Sequence, residues 1–465
     1  MPKRGGAMHV TTSRRHYKGK VYETTLLRRS YRQDGKVRNE TLANLSHLPA
    51  ETIELVRRSL KGETFTAVGD AFQITRSLPH GHVALVWQAA RQLGLPGLLG
   101  PACPQRDLVM ALLVARVLRP GSKLATTRWW QDTTLAEDLG VADASMDDVY
   151  QAMDWLLGRQ DPIERALARR HLGEGGLVYY DLSSSWVEGQ HCPLAARGYS
   201  RDGKRGTAQI EYGLLTDADG RPVAVEVFAG NTGDPATVPA AVDKIRSRFG
   251  LREVVLVGDR GMITQAQIDR LRQLGGVGWI TCLRAPAIAM LATAGVVQPS
   301  LFDQTSLAEI SHPDFPGERL VACRNPALAA ERARKRGELL EATEAELAKI
   351  VRQVQAGKLV KAAAIGVRVG RVLGKYKMAK HFTLDIADGR FGYARDQAAI
   401  DTEAALDGIY VVRSSVGADR LDAPGVVTAY KRLAGVERDF RSLKRSTWTC
   451  ALSTTGPSRA SAPTC

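Results

Sequence analysis

The stretch GLVYYDLSSSW, residues 176–186, decides how the rest of the chain is read. Leu177, Val178, Tyr179 and Tyr180 predict a buried strand, and the apolar run stops at Asp181, before Ser183, Ser184 and Ser185. A carboxylate ending a buried strand is costly unless something offsets its charge. VVLVGDRG repeats the arrangement: Asp259 closes a β-branched run, with a glycine on either side of the Asp-Arg pair. Carboxylates at strand ends in open α/β sheets lie where ligands bind. One such Asp is weak evidence because Asp is common in turns; two in one domain, each closing a buried strand, are better evidence.

The segments around them alternate. IEYGLLTDADGRPVAVEVFAGN predicts a hairpin turning at Asp219-Gly220, followed by a helix over DPATVPAAVDKIRSRFG. After the Asp259 strand come a helix, ITQAQIDRLRQLG, and a strand, VGWITCL. This order predicts an α/β domain with a mixed sheet and flanking helices. Residues 286–405 break the rhythm with short strands, a long charged helix from about 327 to 356 and the strand pair HFTLDIADGRFGYARD, and read as an insertion. DGIYVVRSS, 407–415, restores a buried strand, and a helix begins near Val426.

Upstream, residues 17–46 predict a β-unit, with Asp34-Gly35 as the hairpin turn. From about 83 to 172 the period is helical, with a Ser N-cap opening SMDDVYQAMDWLLG. The expected organisation is a basic β-hairpin region (1–65), a helical region (66–172) whose Arg-rich connections suit a DNA-binding bundle or equally a helical spacer, an α/β domain in two parts (173–285 and 406–444), the insertion (286–405) and a tail (445–465).

Charge names the partner class. Lys plus Arg exceed Asp plus Glu by 64 − 49 = 15, and residues 1–60 hold 13 of the cations against 5 acids. Such a balance predicts a polyanion, nucleic acid above all. The six cysteines form no CxxC pair and no HExxH occurs, which excludes the usual zinc motifs. No stretch is apolar enough to span a membrane and MPKRGGAMHV is not a secretory signal, so a cytoplasmic, nucleoid-associated protein is expected.

A third acid lies in VVTAYKRLAGVERDFRSLK, where Leu433, Val436, Phe440 and Leu443 recur at helical spacing. Glu437 borders that seam, with Tyr430 and Lys444 two turns before and after it and Arg441 one turn away. A solvated, salt-bridged helix face is the alternative reading of the same residues.

Together these motifs resemble the DDE transposases of bacterial insertion sequences, specifically the insertion-sequence-four superfamily. YYDLSSSW resembles the first-aspartate strand, VGDRGM the second, GNTGD at 230–234 the turn after the hairpin, and YKRLAGVERDFRSLK the signature around the glutamate. The resemblance covers roughly residues 20–444 and departs where the signature arginine falls on Leu433, with Arg432 beside it. It implies a ribonuclease-H-like fold interrupted by a largely β insertion. Asp181, Asp259 and Glu437 would be the catalytic acids, holding two Mg²⁺ ions for which Mn²⁺ can substitute. Tyr430, Arg441, Lys444 and Arg260 would position DNA phosphates.

The implied activity is cleavage at terminal inverted repeats of double-stranded DNA and transfer of the freed 3′-hydroxyl to target DNA, by a homodimer assembled on DNA. A nuclease of the same fold and an inactive DNA-binding relic are the alternatives. The tail bears on the second. RSTWTCALSTTGPSRASAPTC has 21 residues, no acid and nine Ser/Thr. Back-translated and shifted by two nucleotides, part of it can read HLDVRPIHHWAE, so a frameshifted, inactive copy is expected, with a genuine polar tail as the other reading. Without further helices the seam of Leu433, Val436, Phe440 and Leu443 would be partly exposed, at roughly 1.5–3 kcal/mol per large side chain left in water.

Overall fold

The computed structural model describes residues 6–67, 74–201, 203–204, 206–303 and 305–444, and the expected frameshift falls on residues outside these. The chain divides into two compact units, Met1–Leu78 and Pro79–Cys465.

The first unit is an antiparallel meander of β1 (Ala7–Tyr17), β2 (Lys20–Gln33) and β3 (Lys36–Asn44), followed by α1 (Ala50–Leu60). Asp34 and Gly35 turn with φ of 50° and 75°, the two positive angles that a tight hairpin requires. Lys18 and Gly19 do the same at 48° and 70°. That second turn adds β1, a strand the sequence reading omits because Lys-Gly is a weaker turn signal than Asp-Gly.

The second unit opens with helices α2 (Gly81–Gln92), α3 (Leu95–Leu99), α4 (Pro104–Leu118), α5 (Lys123–Trp130), α6 (Leu135–Asp138), α7 (Met146–Gly158) and α8 (Gln160–His171). They share a core around Met110, Val114, Trp130 and Val149. Ser145 caps α7 through a reciprocal capping box with Asp148.

A large mixed sheet follows, built from β4 (Leu177–Trp186), β5 (Gln209–Thr216), β6 (Pro222–Ala229), β7 (Val254–Gly258), β8 (Val277–Cys282), β9 (Leu307–Ile310), β10 (Arg319–Arg324) and β13 (Ile409–Ser414). Its order is β6-β5-β4-β7-β8-β13-β10-β9. β4, β7 and β8 run parallel and the outer strands antiparallel. Helices α9 (Asp234–Asp243), α10 (Gln265–Leu274) and α11 (Ala285–Thr293) lie between strands in the sequence. Apolar cores cover both faces, Leu182, Leu256 and Ile268 on one and Tyr179, Val257 and Phe440 on the other.

Three expectations change. First, β9 and β10, read as part of an insertion at 286–405, extend the main sheet through β13. What lies between β10 and β13 is mostly helical: α12 (Pro326–Gln355), α13 (Ala362–Tyr376), a β11 (Phe382–Ala387) and β12 (Arg390–Arg395) hairpin, and α14 (Gln397–Ala404), with a core around Leu347 and Ile365. Second, the single helix read around Glu437 is two, α15 (Ala423–Arg432) and α16 (Ala434–Lys444), broken at Leu433. Third, the seam is not left bare. Leu433, Val436 and Phe440 are buried against the sheet, with Phe440 edge-on to Tyr212, so the expected exposure penalty does not arise. Among the described residues, no helix is long and apolar enough to cross a membrane.

A buried ionic knot ties the helices to the sheet edge. Lys244, 1% exposed, contacts Glu164 of α8 and Glu226 of β6, each at 2.6 Å. Glu164 also accepts from Val225 N at 3.0 Å, and Gln160 donates to Val225 O at 2.9 Å. Glu164→Ala leaves Lys244 with Glu226 as its only acidic partner and strips Val225 N of its acceptor, and should cost about 2–3 kcal/mol in denaturant unfolding; a loss below about 1 kcal/mol would mean water reaches both groups.

Candidate functional site

β4 does not end at Asp181; it runs on to Trp186. What ends there is a partner. The parallel pairing of β4 with β7 closes at Tyr180 opposite Gly258, and Asp259 follows immediately. Past Tyr180, β4 keeps only β5, so Asp181 faces the opening where β7 has stopped. The apolar run therefore marks the end of two-sided pairing, not of the strand.

This opening is a cavity of about 830 Å³ lined by Asp181, Asp259 and Glu437, from β4, the turn after β7 and the first turn of α16. Tyr430, Arg441 and Lys444 line it as well, and Arg260 does not. Arg260 stands beside Tyr430 and Cys282, its carbonyl accepting from Arg284 Nε at 3.3 Å.

Burial pushes the Asp181 carboxyl up to about 6; Arg201 opposes the rise, and the charges of Asp259 and Glu437 add to it. Asp259 accepts from Tyr430 Oη at 3.4 Å. Burial and the neighbouring Cys282 thiol hold that phenol well above its ordinary range, so Tyr430 stays a neutral donor. By donor type the acids suit a hard divalent cation, whose charge would relieve their repulsion. Among the described residues, however, no three His, Cys, Asp or Glu side chains stand close enough to hold one. The acids face one cavity without closing around an ion.

Sequence reasoning missed other residues of the lining. Arg201, in the glycine-rich loop between β4 and β5, pairs with Asp234 and lines the cavity with Tyr199, Tyr410, Asn325 and Lys431. Asp234 is the last residue of GNTGD, so that motif does more than turn the chain. The loop is held by close backbone approach: a Cβ on Gly230 would lie 1.8 Å from Gln209 O, and one on Gly198 2.0 Å from Gly230 O. Gln209 Nε2 then donates to both Tyr199 O and Gly230 O at 2.9 Å.

Behind Arg201 sits Glu211, 3% exposed, with Oε2 unpaired. Burial raises its carboxyl to about 7; Arg201 lowers it and Asp234 raises it. The folded chain thus binds a proton there that the unfolded chain releases near 4.5, and stability falls as pH rises from about 4.5 through 7. Glu211→Gln should match the parent near pH 5 and exceed it by roughly 2–3 kcal/mol at pH 8. Thermal unfolding at the two pH values checks this, and a pH-independent difference would contradict it.

With the geometry in view, comparison with known proteins places the chain. Residues 183–462, 280 of the 465, match the family of the transposase DDE domain, and residues 10–68 match the N-terminal domain of IS1634 family transposases. The chain belongs to the DDE transposases of insertion sequences. The larger match begins two residues after Asp181 and includes Asp259 and Glu437. No curated protein matches. A cryo-EM structure of the piggyBac transposase synaptic complex with hairpin DNA is similar over 49% of this chain and 50% of that one, at 11% identity. Its TM-score of 0.31 carries no argument, and the chain spans about half of that structure's length.

Proposed function

We propose that this transposase binds the terminal inverted repeats of its insertion sequence, hydrolyses the phosphodiester at the element's ends and joins the freed 3′-hydroxyl to target DNA, as a homodimer on DNA. The observation that carries this reading is the convergence of Asp181, Asp259 and Glu437 on one cavity, although 78 and 178 residues separate them in sequence. A ribonuclease-H-like catalytic domain of the insertion-sequence-four superfamily, interrupted by the segment between β10 and β13, is the fold this reading takes. The mixed sheet supports it, with two acids at the end of the β4–β7 pairing.

Asp181, Asp259 and Glu437 offer the oxygen donors that Mg²⁺ or Mn²⁺ takes and would have to draw closer together to hold two such ions, which when bound would supply charge stabilisation for phosphodiester cleavage. Tyr430 orients Asp259 through its hydroxyl. Arg441, Lys444 and Lys431 set positive charge on the cavity wall where a DNA phosphate would lie. Arg260, outside the cavity lining, would contact the backbone from beside it. We carry the frameshift of residues 445–465 in this proposal too: the nucleotides beyond codon 444 test it, and a second frame with no transposase-like continuation ends it.

Asp181→Asn, Asp259→Asn and Glu437→Gln should each reduce Mg²⁺-dependent cleavage by about a hundredfold or more and leave end binding intact. A variant that cleaves within about tenfold of the parent removes its residue from the set. Transfer of pre-cut ends in the same assay separates a transposase from a nuclease.

Lys444→Ala should weaken DNA binding and reduce the log–log salt slope by about one unit, as the loss of one phosphate contact predicts. An unchanged slope would place Lys444 off the DNA.

A further inference from the structure

We propose that the helix-free face of the β1–β2–β3 sheet is the sequence reader of this chain and lies in the major groove of double-stranded DNA. This rests on the transposase reading and assigns recognition to a surface that reading leaves open.

The register sorts the sheet into two unlike faces. Arg15 opposes Tyr22, Ser30 opposes Asn39 and Arg32 opposes Val37, and alternation puts Arg15, Lys20, Arg28, Ser30, Arg32 and Asn39 on one side. That side carries no carboxylate. Both strand acids, Glu23 and Glu40, fall on the other side with Arg14 and Arg29 opposite them, and Glu23 pairs with Arg14. The acid-bearing side is also where α1 docks: Arg57 Nη2 donates to Thr12 at 3.1 Å, and Thr12 meets Thr25 at 3.1 Å. Arg38 and Lys36 also fall on the acid-bearing side, so both faces carry strand cations; what segregates is the acids, which leaves the helix-free face with uncompensated positive charge.

Its dimensions suit a groove. A major groove about 12 Å wide admits two strands about 4.8 Å apart, so β2 and one neighbour would enter it while the third strand lies along its rim. Arg28 and Arg32 lie four residues apart on the central strand, with Ser30 between them. Side chains two residues apart on one face stand about 6.8 Å from each other, close to two base-pair steps. Arginine forks suit the guanine edge and asparagine the adenine edge. Sheet readers of this kind form a recognised docking class.

The test uses the full chain. Duplexes are selected from a random-sequence library with the parent protein, then titrated against Arg28→Ala/Arg32→Ala, Arg28→Lys and the opposite-face control Arg14→Ala. The double variant should lose about a hundredfold on the selected duplex. Arg28→Lys should hold a scrambled duplex within about threefold of the parent yet lose about tenfold on the selected one, which also shows that it folds. Arg14→Ala should stay within about threefold on both. Guanine N7 methylation of the selected duplex should block the parent. Undiminished selectivity in Arg28→Lys, an equal loss in Arg14→Ala, a preference for single strands or RNA, or a parent that enriches no duplex would each overturn the proposal. Cleavage of pre-formed element ends by the parent and by Asp181→Asn judges the transposase reading separately.

Discussion

The site depends on where one strand stops. β7 pairs with β4 as far as Gly258 and then turns, and a Cβ on Gly258 would stand 2.9 Å from Ile263, so the turn closes tightly over its own first residue. Had β7 continued, Asp181 would lie between two hydrogen-bonded strands with no room for a ligand. Because it stops, β4 runs on alone beside β5, and the gap becomes the cavity that α16 then walls.

The acids meet there in different states of solvation. Asp181 is held by a buried strand, while Asp259 and Glu437 are exposed. Glu437 sits in the first turn of α16, where the helix dipole favours a negative charge. Arg201 offsets the charge of Asp181 and is itself anchored by Asp234. Repulsion among the acids is thus partly balanced by a built-in cation.

Much of this was legible in the sequence because the signals were local. The β-branched run before Asp259, the hairpin turn at Asp219-Gly220 and the 433–443 periodicity each report burial or a turn within a few residues. What stayed hidden was set by pairing over long distances. Nothing in SLAEIS or ERLVACR says that β10 joins β13, some 90 residues on, and carries its partner β9 into the main sheet. Helical period survives the break at Leu433, so α15 and α16 read as one. Arg201 escaped notice because a lone arginine in a glycine-rich loop looks like any solvated loop until Asp234 closes on it.

The knot around Lys244 has a consequence beyond stability. β6 is an edge strand, and an exposed edge offers its backbone to any passing chain. Here Glu164 occupies the outward N–H of Val225, and Gln160 and Lys244 occupy its carbonyl. The opposite edge, β9, is four residues long. Two side chains of α8 and one lysine therefore act as a stopper on the sheet, ending its growth at eight strands and denying neighbouring molecules a template for strand addition.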